Sequence, residues 1–235
     1  MLAEQPSAGE LQAGVLLSVD DAAVCLSFTP RQRVLSSAVL HGGMTQASAY
    51  LNLRVPREDE GVCEHPATTL ARAAEARDLP LDTVGMMTAA SMKSLRVSGE
   101  AIADEHLSVV VTAGMQNARR AGDRAEYRAL GAVPREVGTI NLAIVYSGAL
   151  SPAAMVEAVT VATEAKAAAL QDKGITSAVG AGIATGTGTD AVALFSADSG
   201  PEVPFVGKHT LFGERLAHLV ITALTASLDW EEGAG

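Results

Sequence analysis

Residues 138–147 read Gly-Thr-Ile-Asn-Leu-Ala-Ile-Val-Tyr-Ser, and Ser151-Pro152 follows closely. Ile140, Leu142, Ile144 and Tyr146 alternate with Asn141, Ala143 and Val145, the two-residue period of a strand. Ser151 is a helix cap and Pro152 suits the first helical position. The helix is expected to run to about Lys173. Met155, Val159, Ala162, Ala169 and Leu170 mark one face, and Gly174 supplies a left-handed stop.

The same rules extend outward. Gly14–Val19 and Ala22–Phe28 are apolar runs separated by Asp20-Asp21, a hairpin signal. Thr29-Pro30-Arg31-Gln32-Arg33 breaks that pattern. Val34–Leu40 is apolar and ends at His41-Gly42-Gly43, and Met44–Val55 reads as strand-like. Arg57–Glu64 reads as a polar loop. A helix is predicted from Pro66 to about Arg77, and strands over Thr83–Thr88, Leu107–Thr112, Gly182–Thr185 and Ala191–Phe195. A last amphipathic helix spans Leu211–Leu228, with Leu216, Leu219, Val220, Ala223 and Leu224 toward the core. Strands and helices mix without regular alternation. This predicts an α+β or mixed α/β fold, a mixed sheet packed against helices, rather than a doubly wound parallel sheet. Residues 1–10 read as a flexible tail and 11–230 as a single domain.

The chain has 235 residues, 48% apolar and 19% charged, close to globular averages of roughly 45–50% and 25%. With 3% aromatics the core is expected to be Ala, Val, Leu and Ile. Seventeen Lys and Arg against 27 Asp and Glu give 17 − 27, a net charge of −10. That balance speaks against a nucleic-acid partner, which needs a basic face. Arg119-Arg120 with Arg124 and Arg128 is interrupted by Asp123 and Glu126 and reads as a solvated surface. Charges, prolines or glycines cut every apolar run, so no membrane span is expected. The N-terminus has no leader pattern, and Cys25 and Cys63 have no metal spacing and read as reduced thiols. A cytoplasmic protein is expected.

Chemistry is concentrated in polar glycine-rich segments. Gly186-Thr187-Gly188-Thr189-Asp190 is neither common phosphate loop, because no Walker pattern exists and a strand follows where a helix should open. Two glycines permit close backbone approach, with two hydroxyls and a carboxylate beside them. The same residues also read as a polar turn closed by its own Asp. His41-Gly42-Gly43 reads either as a base beside an oxyanion nest or as an exposed turn. Lys208-His209-Thr210 precedes the last helix, where Thr210 is a cap and Lys208 holds a carboxylate or phosphate, or the segment is a plain capped helix start with solvated Lys and His. His65 sits in a polar loop and His218 within a helix. The five histidines have no ligand spacing, and no metal site is expected.

Taken in order, these segments resemble the adenosylcobinamide amidohydrolase family. The resemblance rests on Val34-Leu35-Ser36-Ser37-Ala38 with Gly42-Gly43, and on Asn52 before Arg54-Val55. It continues through Val84-Gly85-Met86-Met87-Thr88-Ala89-Ala90 and Val111-Thr112-Ala113-Gly114-Met115-Gln116-Asn117-Ala118 with Ala121-Gly122-Asp123. Gly138-Thr139-Ile140-Asn141, Ala184 through Asp190, and Gly207-Lys208-His209-Thr210 complete it. It covers about residues 14–228.

The resemblance implies hydrolysis of the amide joining an aminopropanol arm to a corrin ring, giving adenosylcobyric acid for cobamide salvage. Some members are thought to accept complete cobamides. It implies no required cofactor, the cobalt-containing corrinoid being the substrate. Asp190 and His209 are then candidate bases. Thr139, Asn141, Thr187 and Thr189 are candidate nucleophiles or orienting donors. Gly42-Gly43 or Gly186–Gly188 could form the oxyanion site. His41, Asn52, Thr88, Asn117 and Lys208 complete the candidate substrate-binding set. The alternatives are a non-catalytic corrinoid-binding protein and a different amide hydrolase on the same scaffold. The alanine-rich helix 151–173 would permit pairing between subunits, so a homo-oligomer is a further expectation.

Overall fold

The computed structural model describes residues 6–55, 64–127, 129–130 and 139–233. Strands β1 (Gly9–Gln12), β2 (Val15–Val19), β3 (Ala23–Ser36) and β4 (Gly43–Arg54) come first, then helix α1 (Pro66–Glu75). Strands β5 (Val84–Thr88), β6 (Arg96–Ile102), β7 (Glu105–Ala113), the two-residue β8 (Ala118–Arg119), β9 (Ile140–Tyr146) and β10 (Ala149–Leu150) lead to α2 (Pro152–Asp172). β11 (Gly186–Thr187), β12 (Ala191–Ser196), β13 (Glu202–Val203) and α3 (Leu211–Gly233) complete the chain.

Nine strands form one mixed sheet, β1-β2-β3-β12-β9-β7-β6, with β4 pairing β3 and β5 in turn pairing β4. β9 and β12 are parallel, as are β4 and β5, while β7 runs antiparallel to β9. This is an α+β fold with a curled mixed sheet, as the sequence predicts.

Period-two alternation assigns each face. On β7, β9 and β12, Leu107, Val109, Val111, Ile140, Leu142, Ile144 and Leu194 pack under α2 and α3. The opposite faces carry Val110, Ala143, Val145, Ala193 and Phe195. These meet Leu26, Val34, Tyr50, Val84 and Met86 from the other half of the sheet. The sheet therefore folds over a second, internal core. α1 covers the outer side of β4 through Leu70 and Ala74 against Leu51 and Leu53. Cys25 lies in this outer cluster, and burial pushes its thiol up. Cys63 and Arg128 lie outside the described residues.

Local signals set the helix ends. Ser151 Oγ accepts from Ala154 N at 3.1 Å. At the other end Gly174 has φ +65°, Gly174 N donates to Gln171 O, and Ile175 N to Leu170 O. That is a complete Schellman stop. The His65 side chain caps α1, accepting from Ala67 N at 3.3 Å. Thr210 Oγ1 accepts from Gly213 N at 3.1 Å at the start of α3. Thr210→Ala is expected to lower stability by about 1 kcal/mol in a urea titration. An unchanged midpoint would show that this cap contributes nothing.

Several expectations are corrected. Gly9 and Glu10 belong to β1 rather than to a tail, because Gly9 and Glu10 pair with Leu17 and Leu16 of β2. The buried Gln12 side chain accepts from Ser108 Oγ at 2.8 Å. β3 continues through Thr29–Arg33, where its register with β4 slips between Ser27 and Gln32 and absorbs Pro30. Residues 182–185 make one isolated bridge, Thr176 to Ile183, and no strand. Leu211–Trp230 is long and apolar enough to cross a membrane by length and composition, contrary to the sequence reading. Half of that stretch is buried, with Leu216, Val220, Ala223 and Leu224 against the sheet.

Candidate functional site

The internal core changes character at one end. Along β4, β5, β7 and β9 the inward residues run Tyr50 to Asn52, Met86 to Thr88, Val110 to Thr112, and Ala143 to Asn141. Each strand thus places one polar side chain two residues beyond its last apolar one. All four are at most 2% exposed. Such groups persist in a core only when hydrogen-bonded.

They bond mainly to each other. Asn52 Nδ2 donates to Thr112 Oγ1 at 2.8 Å. Asn141 Nδ2 donates to Asn52 Oδ1 at 2.8 Å and to Met87 O at 2.9 Å. These bonds join the two halves of the curled sheet. Thr88 Oγ1 accepts from Ala90 N at 3.0 Å and holds the turn after β5. Thr139 Oγ1 lies 3.2 Å from Asn141 Oδ1 and donates to Thr189 O at 2.7 Å. The network thereby reaches the glycine-threonine loop.

Asp190 organises that loop. Its Oδ1 accepts from Ile140 N at 3.0 Å and from Thr187 Oγ1. Its Oδ2 accepts from Thr187 N at 3.0 Å and from the Lys166 ammonium of α2. Four donors take about all the lone-pair sites a carboxylate offers. Asp190 thus ties the loop to the start of β9 and to α2. Lys166 and Asp190 side chains are 10% and 14% exposed, so the pair is largely dry.

Gly186 is required by space. A Cβ there would lie 2.1 Å from Asp190 Oδ2 and 2.7 Å from Lys166 Nζ. Gly186→Ala is expected to cost about 1–3 kcal/mol and to separate the ion pair. A melting curve like that of the wild type would show that the loop absorbs the methyl group. β11 pairs with β8, which sets Asn117 opposite Gly188, one step beyond the ladder.

The structure thus brings together Asn52, Thr88, Asn117, Thr139, Asn141, Gly186, Thr187, Gly188, Thr189 and Asp190. It leaves two groups elsewhere. His41 has φ 52° and its Nδ1 lies 2.9 Å from Thr83 O, at the opposite end of β5 from Thr88. Gly42 and Gly43 follow in that turn, and Gly42 packs against Ala38 O. Lys208 pairs with Glu164 on the surface, and His209 is exposed beside it. Glu164 and Lys166 are two residues apart on α2, about 200° around the helix, so Lys208 faces away from Asp190.

Sequence reasoning missed Lys166 and Thr112. Lys166 continues the row Ala158–Ala162 at four-residue spacing, on the buried face of α2. A lysine inside an alanine stripe was the available signal. Thr112 was visible as the polar end of an apolar strand.

Among the described residues no three His, Cys, Asp or Glu gather in a metal-ligand group. The larger cleft, about 410 Å³, is lined by Glu105, Tyr146, Gly148 and Phe212 and lies at the far end of β9 from Asn141. A smaller one of about 280 Å³ lies beside the loop, between Arg120, Gln171 and Thr185. The polar cluster falls in neither. Arg119 pairs with Glu126, and Arg120 donates to Ile183 O, so these cations serve the local loop.

The model of the family described as adenosylcobinamide amidohydrolase matches residues 10–235. The chain belongs to the adenosylcobinamide amidohydrolase family. A protein of Methanosarcina mazei named adenosylcobinamide amidohydrolase is 31% identical over 202 residues, 82% of this chain and 88% of that one. An uncharacterised protein of Methanocaldococcus jannaschii is 32% identical over 161 residues, 63% of each chain. A crystal structure of a Pyrococcus horikoshii protein aligns over 97% of this chain and 82% of its own, at TM-score 0.45 and 10% identity. That likeness is too low to carry an argument. In this amidohydrolase the polar cluster gathers hydroxyls, side-chain amides and a Lys–Asp pair, group types that amide hydrolysis can use.

Proposed function

We propose that this amidohydrolase cleaves the amide joining the aminopropanol arm to the corrin ring of adenosylcobinamide. The products are adenosylcobyric acid and the free amino alcohol, and the reaction serves cobamide salvage in the cytoplasm. The observation that carries this reading is the buried Asn52–Asn141–Thr139–Asp190–Lys166 network, in a chain of this family. The name of the Methanosarcina relative supports the choice of substrate.

Hydrolysis adds hydroxide to the carbonyl carbon and a proton to the departing nitrogen. Thr187 Oγ1, hydrogen-bonded to the Asp190 carboxylate, is the oriented hydroxyl of the loop. Lys166 balances the charge of Asp190 and is the proton donor nearest to it. Gly188, exposed at the loop tip, offers its N–H to the developing oxyanion. Thr139 and Asn141 hold Thr189 and the strand ends in place. His209 and Lys208 lie on the surface apart from this centre, and His41 lies at the opposite end of β5. No resident cofactor is required.

The test is incubation of chelator-treated protein with adenosylcobinamide, with products followed by liquid chromatography and mass spectrometry. The mass of adenosylcobyric acid with release of the amino alcohol is expected. A saturable change in the corrin spectrum without product would instead mark a binding protein.

A further inference from the structure

Among the described residues two buried side-chain atoms lack a hydrogen-bond partner, Asn117 Oδ1 and Ser196 Oγ. Ser196 lies beside Tyr146, at the end of β12 away from the polar cluster. Asn117 lies in the cluster itself, at 6% exposure. Its neighbour across the chain is Gly188, and a Cβ on that glycine would stand 3.2 Å from Asn117 Nδ2. Gly188 is exposed and meets the amide on its Nδ2 side, so only a glycine separates that end of Asn117 from the loop surface, and Oδ1 is the other arm of the same planar group. A buried amide oxygen left without a donor destabilises a fold. At a site, such an atom is an acceptor waiting for a ligand donor.

We infer that Asn117 Oδ1 is a specificity-determining acceptor for an amide N–H of the substrate. The inference rests on the amide-hydrolysis reading above and gives it a recognition element. The corrin substrate offers two sources of that donor, the scissile secondary amide and the primary carboxamides at the ring edge. Leucine has nearly the shape of asparagine and removes the unpaired oxygen, so Asn117→Leu separates function from folding. Asn117→Asp keeps an acceptor at the same place.

The experiment measures kcat, KM and thermal melting for wild type, N117L and N117D with adenosylcobinamide. N117L is expected to melt at or above the wild-type temperature, with kcat/KM lowered about ten-fold. N117D is expected to recover part of that loss. A loss in KM alone identifies a ring-edge carboxamide, and a loss in kcat identifies the scissile amide. Turnover by the wild type, with equal kcat/KM and a lower melting temperature in N117L, overturns the inference and leaves the functional reading standing. A wild type that neither binds nor hydrolyses adenosylcobinamide overturns both. If N117L fails to fold, the Asn117 side-chain NH2 resonances of the isotope-labelled wild type decide. A downfield shift at saturating ligand supports the inference, and unchanged resonances overturn it.

Discussion

Lys166→Met is expected to destabilise the protein by about 3 kcal/mol, the lower end of the range for breaking a buried ion pair. In a chain of this size that lowers the melting temperature by about 6–12 °C. Methionine keeps most of the side chain's length, so the buried face of α2 stays filled and the lost charge dominates. Asp190 then keeps its bonds from Ile140 N, Thr187 N and Thr187 Oγ1 but loses its counter-ion. Those three donors are why the low end applies. A loop displaced by an ångström carries the Thr187 hydroxyl with it, and kcat is expected to fall about 100-fold. Combining K166M with Asp190→Asn removes both charges. The double variant is expected to lose less stability than the sum of the singles, with a coupling of about 1–3 kcal/mol in urea denaturation. A K166M protein that melts like the wild type would remove the pair from any account of this site.

Asn141→Leu carries the second large effect. It removes the donor that Asn52 Oδ1 and Met87 O share, and the acceptor 3.2 Å from Thr139 Oγ1. Asn52 Oδ1 and Met87 O are left in a dry interior, each at about 1–3 kcal/mol, so a total near 2–4 kcal/mol is expected after partial rearrangement. Two of the three bonds that join the halves of the curled sheet are lost, and only Asn52 Nδ2 to Thr112 Oγ1 remains. Amide exchange should therefore quicken in β5 together with β9, and not in α3. Exchange quickened in β9 alone would show that the cross-sheet bonds are dispensable. Adenosylcobinamide turnover is expected to fall with stability, because Thr139 and the 187–190 loop hang from the same strand end.

Some of this was legible locally. The cap at Ser151, the proline after it and the glycine at 174 act within one turn, so α2 falls where the sequence places it. The alternation of Ile140 through Tyr146 likewise needs no partner to be read. Asp190 as the acceptor of its own loop was one of two readings open from spacing, and the structure adds Lys166 to it. Pro30 was read as a break because strand rules forbid proline in a regular ladder. β3 accommodates it by a register slip that depends on how β4 follows. Nothing within four residues of Lys166 announces Asp190, which lies 24 positions further along the chain.

By itself the sequence determined the ends of α2, the strands β5, β7, β9 and β12, the α+β class and the family, because caps, periods and ordered motif blocks are short-range or linear signals. The tertiary structure alone decided which polar residues share a site. Asn52, Thr112, Asn141 and Asp190 come from four distant segments. They meet because the sheet curls until the inward faces of β4 and β5 oppose those of β7 and β9. The same curl sets His41 and the Lys208-His209 pair apart from that centre. Strand pairing across long loops and the direction in which each side chain points are properties of the closed sheet. No local pattern encodes them.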